Sequence, residues 1–130
     1  MKNGRYLLDT NIVIAFLKGE KKIVDHFASA EELYLSVVTL GELLYGARNS
    51  KNVESNIQKI KQFSSYCVLL PVSGEVAEHY SKIKINLKNR GKPIPENDIW
   101  IAATSIQNGL VLISRDPHFE FIKNITLEKW

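Results

Sequence analysis

Cysteine is almost absent from this chain: Cys67 is the single thiol among 130 residues. One cysteine cannot form an internal disulfide, and it cannot supply a cysteine-based zinc site. It lies in the apolar run Cys67-Val68-Leu69-Leu70. Because free cysteines are among the most frequently buried residues, we predict a core thiol here rather than a nucleophile.

Long hydrophobic runs are also missing. No apolar stretch approaches the roughly 20 residues that a membrane-spanning helix requires. The apolar runs near the N-terminus are short and include Asp9, so we expect no signal peptide. The scattered glycines form no phosphate-binding loop, which leaves nucleoside-triphosphate chemistry without support. We therefore expect a cytoplasmic protein that has no membrane partner.

Size and charge set broad limits. A chain of 130 residues with 45% hydrophobic content is suited to one domain over residues 1–130. Lysine and arginine exceed aspartate and glutamate by 17 to 14, which gives a formal net charge of +3. This balance permits a polyanionic partner but does not require one.

Strand-like and helix-like segments alternate along the chain. Short apolar runs predict strands at residues 6–9, 33–37, 67–70 and 110–114, with a short edge strand at 125–127. Helical spacing and capping residues predict helices at about residues 10–18, 21–30, 39–47, 53–63 and 97–108, and a further helix that begins at Ser73. This alternation predicts an α/β fold with a central, largely parallel β-sheet and helices on both faces.

Four acidic residues lie at the ends of these segments, inside otherwise apolar stretches: Asp9, Glu42, Asp98 and Asp116. Ligands of open α/β sheets bind outside the carboxyl ends of the strands. Carboxylates that converge there repel one another, and a hard divalent cation such as Mg²⁺ relieves that repulsion. The pattern therefore favours a metal-dependent hydrolase.

Each acid also has a purely structural explanation. Thr39-Leu40-Gly41-Glu42 matches a capping box, and Asp98 lies in the first turn of its predicted helix. Asp116 precedes a proline, as turn residues often do, and Asp9 could cap the helix that follows. Spacing alone supports the metal site and the structural roles equally.

The motifs around these acids are familiar. The sequence is Leu-Asp-Thr-Asn-Ile at residues 8–12, Thr-Leu-Gly-Glu-Leu-Leu-Tyr-Gly-Ala at 39–47, Asn-Asp-Ile-Trp-Ile-Ala-Ala at 97–103 and Leu-Ile-Ser-Arg-Asp-Pro-His-Phe at 112–119. In this order and with these separations, the chain resembles the PIN-domain ribonucleases, and among them the VapC-type toxins of bacterial and archaeal toxin–antitoxin pairs. The resemblance covers nearly the whole chain and implies a single PIN-like domain.

The resemblance implies roles for these residues. Asp9, Glu42, Asp98 and Asp116 would be the catalytic acids that bind Mg²⁺ or Mn²⁺ for the hydrolysis of RNA to 5′-phosphate and 3′-hydroxyl ends. Thr10, Asn11 and Ser114 would orient the carboxylates or water. Thr10 is equally well explained as a helix N-cap. His118 follows Asp116 closely, but we expect it to be an exposed turn residue.

The family also implies partners. The resemblance suggests a cognate antitoxin and a homodimer. Two predicted helices carry apolar stripes that one small sheet does not obviously accommodate: Val53, Ile57, Ile60 and Phe63, and Val76, Tyr80, Ile83 and Leu87. Our hypothesis is that part of this surface forms the homodimer contact or an antitoxin groove. The alternative is that both stripes cover the sheet.

Arg90, Lys92 and Arg115 flank the proposed site in sequence, and we expect them to bind RNA around an acidic pocket that would otherwise repel it. A solvated loop is the alternative explanation for Lys92.

Two other functions remain open. A phosphohydrolase could use Asp9 as a nucleophile, although its usual second aspartate is replaced by Asn11. A non-catalytic nucleic-acid-binding module on the same fold is the other.

Overall fold

A five-stranded parallel sheet forms the centre of the molecule. The structure is a computed structural model that describes residues 4–130. The strands are β1 (Arg5–Leu8), β2 (Glu32–Ser36), β3 (Val68–Leu70), β4 (Val111–Ile113) and β5 (Leu127–Glu128). Their order across the sheet is β3-β2-β1-β4-β5, and all four neighbouring pairs are parallel. The α/β prediction is confirmed.

Helices supply the crossover connections that parallel strands require. They are α1 (Thr10–Leu17), α2 (Lys21–Ser29), α3 (Val37–Arg48), α4 (Val53–Ser64), α5 (Gly74–Asn89) and α6 (Glu96–Gln107), followed by a 3₁₀-helix at Pro117–Phe121. Most helix and strand ends lie within one or two residues of the positions that the sequence predicts.

The sheet separates two hydrophobic cores. Leu7 of β1 pairs in register with Leu112 of β4, and Leu8 pairs with Ile113. Successive side chains of a strand point to opposite faces. Leu7 and Leu112 accordingly pack in the core with α5 and α6, whereas Leu8 and Ile113 pack in the core with α1, α3 and α4. Helices therefore cover both faces of the sheet, as predicted.

One predicted helix start and one predicted N-cap are wrong. Helix α3 begins at Val37 rather than Thr39, because the Ser36 hydroxyl accepts a hydrogen bond from the Val38 backbone N–H at 3.0 Å and caps the helix earlier. Thr39 consequently lies inside the helix, so the predicted capping box with Glu42 does not form. Thr10 is the first residue of α1 and not its N-cap, a position that Asp9 takes.

The apolar stripes of α4 and α5 face inwards. Their buried members are Ile57, Ile60 and Phe63 on α4 and Val76, Ile83 and Leu87 on α5. Tyr80 stacks against Trp100 of α6 with ring centroids 3.8 Å apart. Most stripe residues are thus buried within the chain, which supports the alternative that the stripes cover the sheet. A partner contact through the partly buried Val53 and Tyr80 stays a prediction.

Cys67 is half-buried rather than fully buried, with its Sγ 3.8 Å from the Phe63 carbonyl oxygen. Burial raises the pKa of this thiol to about 12. The thiol is therefore protonated at neutral pH, which agrees with a packing role and not with nucleophilic chemistry.

Within residues 4–130, no helix combines the length and the apolar character needed to cross a membrane.

The division between core and surface on α5 can be tested. Leu87 is 2% exposed, whereas Ile85 on the same helix is 52% exposed. We expect Leu87→Ala to lower the free energy of unfolding by about 2–5 kcal/mol, because the substitution leaves a cavity. Ile85→Ala, the matched control, should change it by about 0.5 kcal/mol or less. Urea denaturation measures both, and equal losses would contradict the assigned packing.

Candidate functional site

The four acids occupy one end of the sheet. Asp9 follows β1 directly, and Asp116 lies just beyond β4 at the start of the 3₁₀-helix. Asp98 lies in the first turn of α6, and Glu42 lies in α3. Because β1 and β4 are parallel neighbours, their carboxyl ends meet at the same edge, which is where α/β proteins bind ligands.

Asp9 is fixed at the bottom of this site. It is 4% exposed, and its Oδ2 accepts a hydrogen bond from the Ser114 hydroxyl at 2.7 Å. Its backbone N–H donates to the Ile113 carbonyl oxygen at 3.0 Å, which extends the pairing of β1 with β4. Burial is the largest influence on the Asp9 carboxyl and raises its pKa, while the Ser114 hydroxyl opposes this effect. The carboxylate is therefore oriented but incompletely stabilised.

Glu42 is held by two other helices. Its Oε1 accepts a hydrogen bond from the Thr10 hydroxyl at 2.7 Å, and its Oε2 accepts one from the Asn97 side-chain amide at 3.3 Å. The predicted role of Thr10 in orienting a carboxylate thus agrees with its contact. The sequence analysis did not assign Asn97 to the site. Its position next to Asp98 in the third motif could have indicated this role.

Asp98 is the most perturbed member of the group. It is 8% exposed, and its Oδ2 has no hydrogen-bond partner within residues 4–130. Burial, followed by the negative charges of Asp116 and Asp9, raises the pKa of Asp98 to about 6, although the nearby His118 acts in the opposite direction. An ionised oxygen that is buried without a partner is costly, so this position requires a proton or a cation.

Ser114 connects Asp9 with Asp116. Its hydroxyl donates to Asp9 Oδ2 and accepts from the Asp116 backbone N–H at 3.0 Å. A hydroxyl has one proton to donate, so this pair of contacts fixes its direction. Asn11 acts on the neighbouring backbone instead, because its Oδ1 accepts from the Arg115 N–H at 3.3 Å.

Arg115 points away from the acids. Its guanidinium lies 2.6 Å from Glu20 Oε1, and its Nε donates to the backbone carbonyl oxygen of Trp130 at 2.8 Å. The side chain therefore already has an acidic partner and ties the end of the chain to the loop after α1.

Arg90 and Lys92 meet the far end of the 3₁₀-helix. An Nη1–H of Arg90 donates to the Phe121 carbonyl oxygen at 2.7 Å, and the Lys92 Nζ lies 5.2 Å from the centroid of the Phe121 ring. Both residues are exposed, as the sequence predicts for this loop. They therefore contact the end of the 3₁₀-helix opposite Asp116, which caps its start.

His118 differs from its predicted role as an exposed turn residue. It is half-buried, and its Nδ1 lies 2.9 Å from Asp116 Oδ1 and 3.4 Å from Asp98 Oδ2. The first turn of the 3₁₀-helix folds this ring back over the acids. The closeness of His118 to Asp116 in sequence was a signal, but the contact with Asp98 depends on tertiary structure.

The donor set suits a divalent cation. Among the described residues, Asp98, Asp116 and His118 each offer a ligand atom, and these atoms all lie within 4.8 Å of one another. Asp9 and Glu42 lie outside this tight group, yet their negative charges still act on Asp98. The unpartnered Asp98 oxygen and the accumulated negative charge fit a bound divalent metal ion, which would satisfy both.

Comparison with known proteins agrees with this site. Residues 6–124 match the PIN domain family. Ribonuclease VapC2 of Haemophilus influenzae strain Rd is 39% identical over 129 residues, which cover 97% of this chain and 98% of the relative. The tRNA(fMet)-specific endonuclease VapC of Shigella flexneri is 30% identical over 129 residues, with the same two coverages.

Solved structures show the same similarity. VapBC2 from Rickettsia felis, crystallised with a DNA fragment from its promoter, has a TM-score of 0.91 at 29% identity and covers 97% of this chain and 98% of its own. VapBC-1 from nontypeable Haemophilus influenzae has a TM-score of 0.88 at 33% identity, with the same coverages. With its four acids at the carboxyl edge of a parallel sheet, the chain belongs to the PIN-domain family.

Proposed function

We propose that this protein is a metal-dependent endoribonuclease and the toxin of a toxin–antitoxin pair, formed as one nuclease domain over residues 1–130. The observation that carries the proposal is Asp98, whose buried Oδ2 has no hydrogen-bond partner in the described part of the chain and whose carboxyl is influenced by the charges of three further acids. Ribonuclease activity is named for relatives that are 39% and 30% identical over nearly their whole length.

The proposed cofactor is Mg²⁺ or Mn²⁺. Asp9, Glu42, Asp98 and Asp116 would provide the negative charge and the oxygen ligands that such an ion prefers. When bound, the ion neutralises charge that develops on the phosphate and lowers the pKa of water.

The residues around the acids hold them in place for this task. Ser114 fixes the direction of the Asp9 carboxylate and of the Asp116 backbone, and Thr10 with Asn97 restrains both oxygens of Glu42. Groups fixed in this way need little reorganisation when the substrate phosphate arrives. We propose that Thr10 and Ser114 act as positioning residues, and that Asn11 orients the loop that carries Arg115.

RNA must approach an acidic pocket, so cations near its rim should hold the RNA backbone. Arg90 and Lys92 adjoin the end of the 3₁₀-helix opposite Asp116. Five residues of such a helix span about 10 Å, so an RNA backbone held at the acids would be within reach of these cations. Arg115 would have to exchange Glu20 for a phosphate, so we assign it a smaller share of RNA binding.

The proposed partners are a cognate antitoxin and a second copy of the chain. Support comes from the structural relatives, which are VapBC complexes; a further one is described as a member of the VapBC family of toxin–antitoxin systems, VapBC-5 of Mycobacterium tuberculosis, with a TM-score of 0.76 at 25% identity. A ribonuclease with such a partner would act in the cytoplasm, where its RNA is.

The alternatives have weaker support. A phosphohydrolase with Asp9 as nucleophile needs an accessible carboxylate, whereas Asp9 is buried and bound to Ser114. A non-catalytic nucleic-acid-binding module would gain nothing from an ionised Asp98 oxygen that is buried without a partner.

Loss of the Asp98 charge should abolish cleavage. We expect Asp98→Asn to retain the fold and to lower the rate of RNA cleavage by more than about 100-fold, since groups outside the direct ligand shell alone contribute 10–100-fold at metal sites. Glu96→Gln is the matched control, because Glu96 lies in the same helical turn but pairs with Lys84 at 3.0 Å. Cleavage of total RNA by purified protein measures both. A wild-type rate in Asp98→Asn would refute the catalytic assignment.

The same substitution should change how stability depends on pH. The pKa of Asp98 is raised from 3.8 to about 6 in the folded protein. A raised pKa contributes stability that is fully present below pH 3.8 and is lost as the pH rises through about 6. In the absence of metal, Asp98→Asn should therefore exceed the wild type in unfolding free energy by about 1–3 kcal/mol above pH 7.

This difference should shrink as the pH falls below about 6 and should disappear only well below pH 3.8, where the wild-type carboxyl is protonated in both the folded and the unfolded state. Urea denaturation in chelator across the pH range measures it, with Glu96→Gln again as control. A difference that is independent of pH would show that Asp98 is not the perturbed group.

The RNA-binding residues can be tested through the dependence of affinity on salt. In an Asp98→Asn background, replacement of both Arg90 and Lys92 by Ala should weaken RNA binding and reduce the salt slope by about 0.7 for each phosphate that the variant no longer binds. Lys21→Ala with Lys61→Ala removes the same charge from α2 and α4 and should leave the slope nearly unchanged. Equal slopes in the two double variants would remove Arg90 and Lys92 from the interface.

A further inference from the structure

We propose that His118 binds the divalent cation directly through Nδ1, together with Asp98 and Asp116, and thereby favours a first-row transition ion such as Mn²⁺ over Mg²⁺. This inference rests on the metal-dependent function proposed above and extends it. The acidic quartet by itself offers oxygen ligands alone. A nitrogen ligand changes which ion the site prefers.

The spacing of the three ligand atoms suits one ion. Nδ1 of His118 lies 2.9 Å from Asp116 Oδ1 and 3.4 Å from Asp98 Oδ2. Neighbouring ligands at about 2.1 Å from a common ion are separated by about 3.0 Å in octahedral and about 3.4 Å in tetrahedral geometry. The first separation matches an octahedral edge, the second is about 0.4 Å longer than one, and the Asp98 and Asp116 ligand atoms lie within 4.8 Å of each other, so Asp98 would move towards the other two ligands when the ion binds.

Both carboxylate oxygens lie within ion-pair distance of a protonated His118 ring, but neither contact has the geometry of a hydrogen bond. Nδ1 of His118 and Oδ2 of Asp98 are both buried, and neither atom has a hydrogen-bond partner within residues 4–130. The Nδ1 atom is near two carboxylate oxygens but is not oriented to donate to either of them. Buried polar atoms in native proteins are nearly always satisfied. A cation held between them would satisfy both atoms at once.

The backbone keeps His118 in this position. Its N–H donates to Asp116 Oδ1 at 2.9 Å, which closes the first turn of the 3₁₀-helix. The next residue, Phe119, is fully buried in the core with α5 and α6, so the turn is anchored on its other side. The His118 side chain nevertheless remains 43% exposed, which leaves a path by which an ion can enter.

A nitrogen ligand alters ion selectivity. Mg²⁺ takes oxygen ligands and keeps several waters, whereas imidazole is a common ligand of first-row transition ions. Asp98 and Asp116 would serve either ion. His118 would therefore add more to the affinity for Mn²⁺ than to the affinity for Mg²⁺.

Pulsed electron paramagnetic resonance tests this ligation directly after Mn²⁺ is added to the metal-free protein. We expect the wild type to show coupling of the Mn²⁺ electron spin to a histidine nitrogen, and ¹⁵N-histidine labelling to change this coupling. His118→Gln should abolish the coupling. His79→Gln should retain it, because His79 lies on α5 with its Nε2 3.0 Å from Gln107 Oε1.

Calorimetry provides a second readout that does not depend on activity. His118→Gln should lower the Mn²⁺ affinity by at least about tenfold, the smallest loss usual for supporting groups at metal sites. The Mg²⁺ affinity should change less, so the ratio of the two affinities should fall. His79→Gln should leave the ratio unchanged.

A variant that retains only His118 controls for a folding defect in His118→Gln. The chain has three histidines, so His26→Gln with His79→Gln leaves His118 alone, and the coupling should persist there. Mn²⁺ binding without nitrogen coupling in the wild type, or coupling that survives in a folded His118→Gln, would overturn this inference while leaving the nuclease proposal intact. Failure to bind Mn²⁺ at all, together with RNA cleavage that needs no metal, would refute both.

Discussion

The parallel pairing of β1 with β4 is the constraint on which the site depends. Both strands are buried on both faces, and their register sets Leu8 opposite Ile113. The next residues along the two strands are Asp9 and Ser114, which meet through the 2.7 Å hydrogen bond. A shift of one residue in this register would turn every side chain of one strand to the opposite core. The hydrophobic cores therefore fix the position of Asp9 and of the Ser114 hydroxyl that orients it.

Burial of the acids at this edge of the sheet is compensated unequally by hydrogen bonds. Asp9 and Glu42 each accept hydrogen bonds from neighbouring side chains, whereas a buried oxygen of Asp98 has no hydrogen-bond partner among residues 4–130. Burial and like charges raise the pKa of Asp98 to about 6, so ionisation of this carboxyl destabilises the metal-free fold. Local destabilisation of this kind is typical of sites that bind a ligand and are stabilised by it.

Sequence patterns predicted the scaffold well, because the apolar periodicity directly reflects the two cores. They also predicted the four acids, since each acid interrupts an apolar segment near its end. Local capping rules failed at Thr39, because a serine three residues earlier caps the helix first. The contacts of Asn97 with Glu42 and of His118 with Asp98 were not predictable, since each joins segments whose approach depends on how α6 packs.

The acids and His118 differ in how fully their polar atoms are hydrogen-bonded. Asp9 and Glu42 are restrained by Ser114, Thr10 and Asn97, and form a fixed negative background. Asp98 and His118 retain atoms without hydrogen-bond partners within residues 4–130, which leaves them free to bind an ion. A fixed negative charge attracts cations in general, whereas the type of ligand atom determines which cation binds most tightly. On the proposed assignment, the choice of metal would depend on the loop after β4, whereas metal binding itself would depend on the acids that the sheet positions.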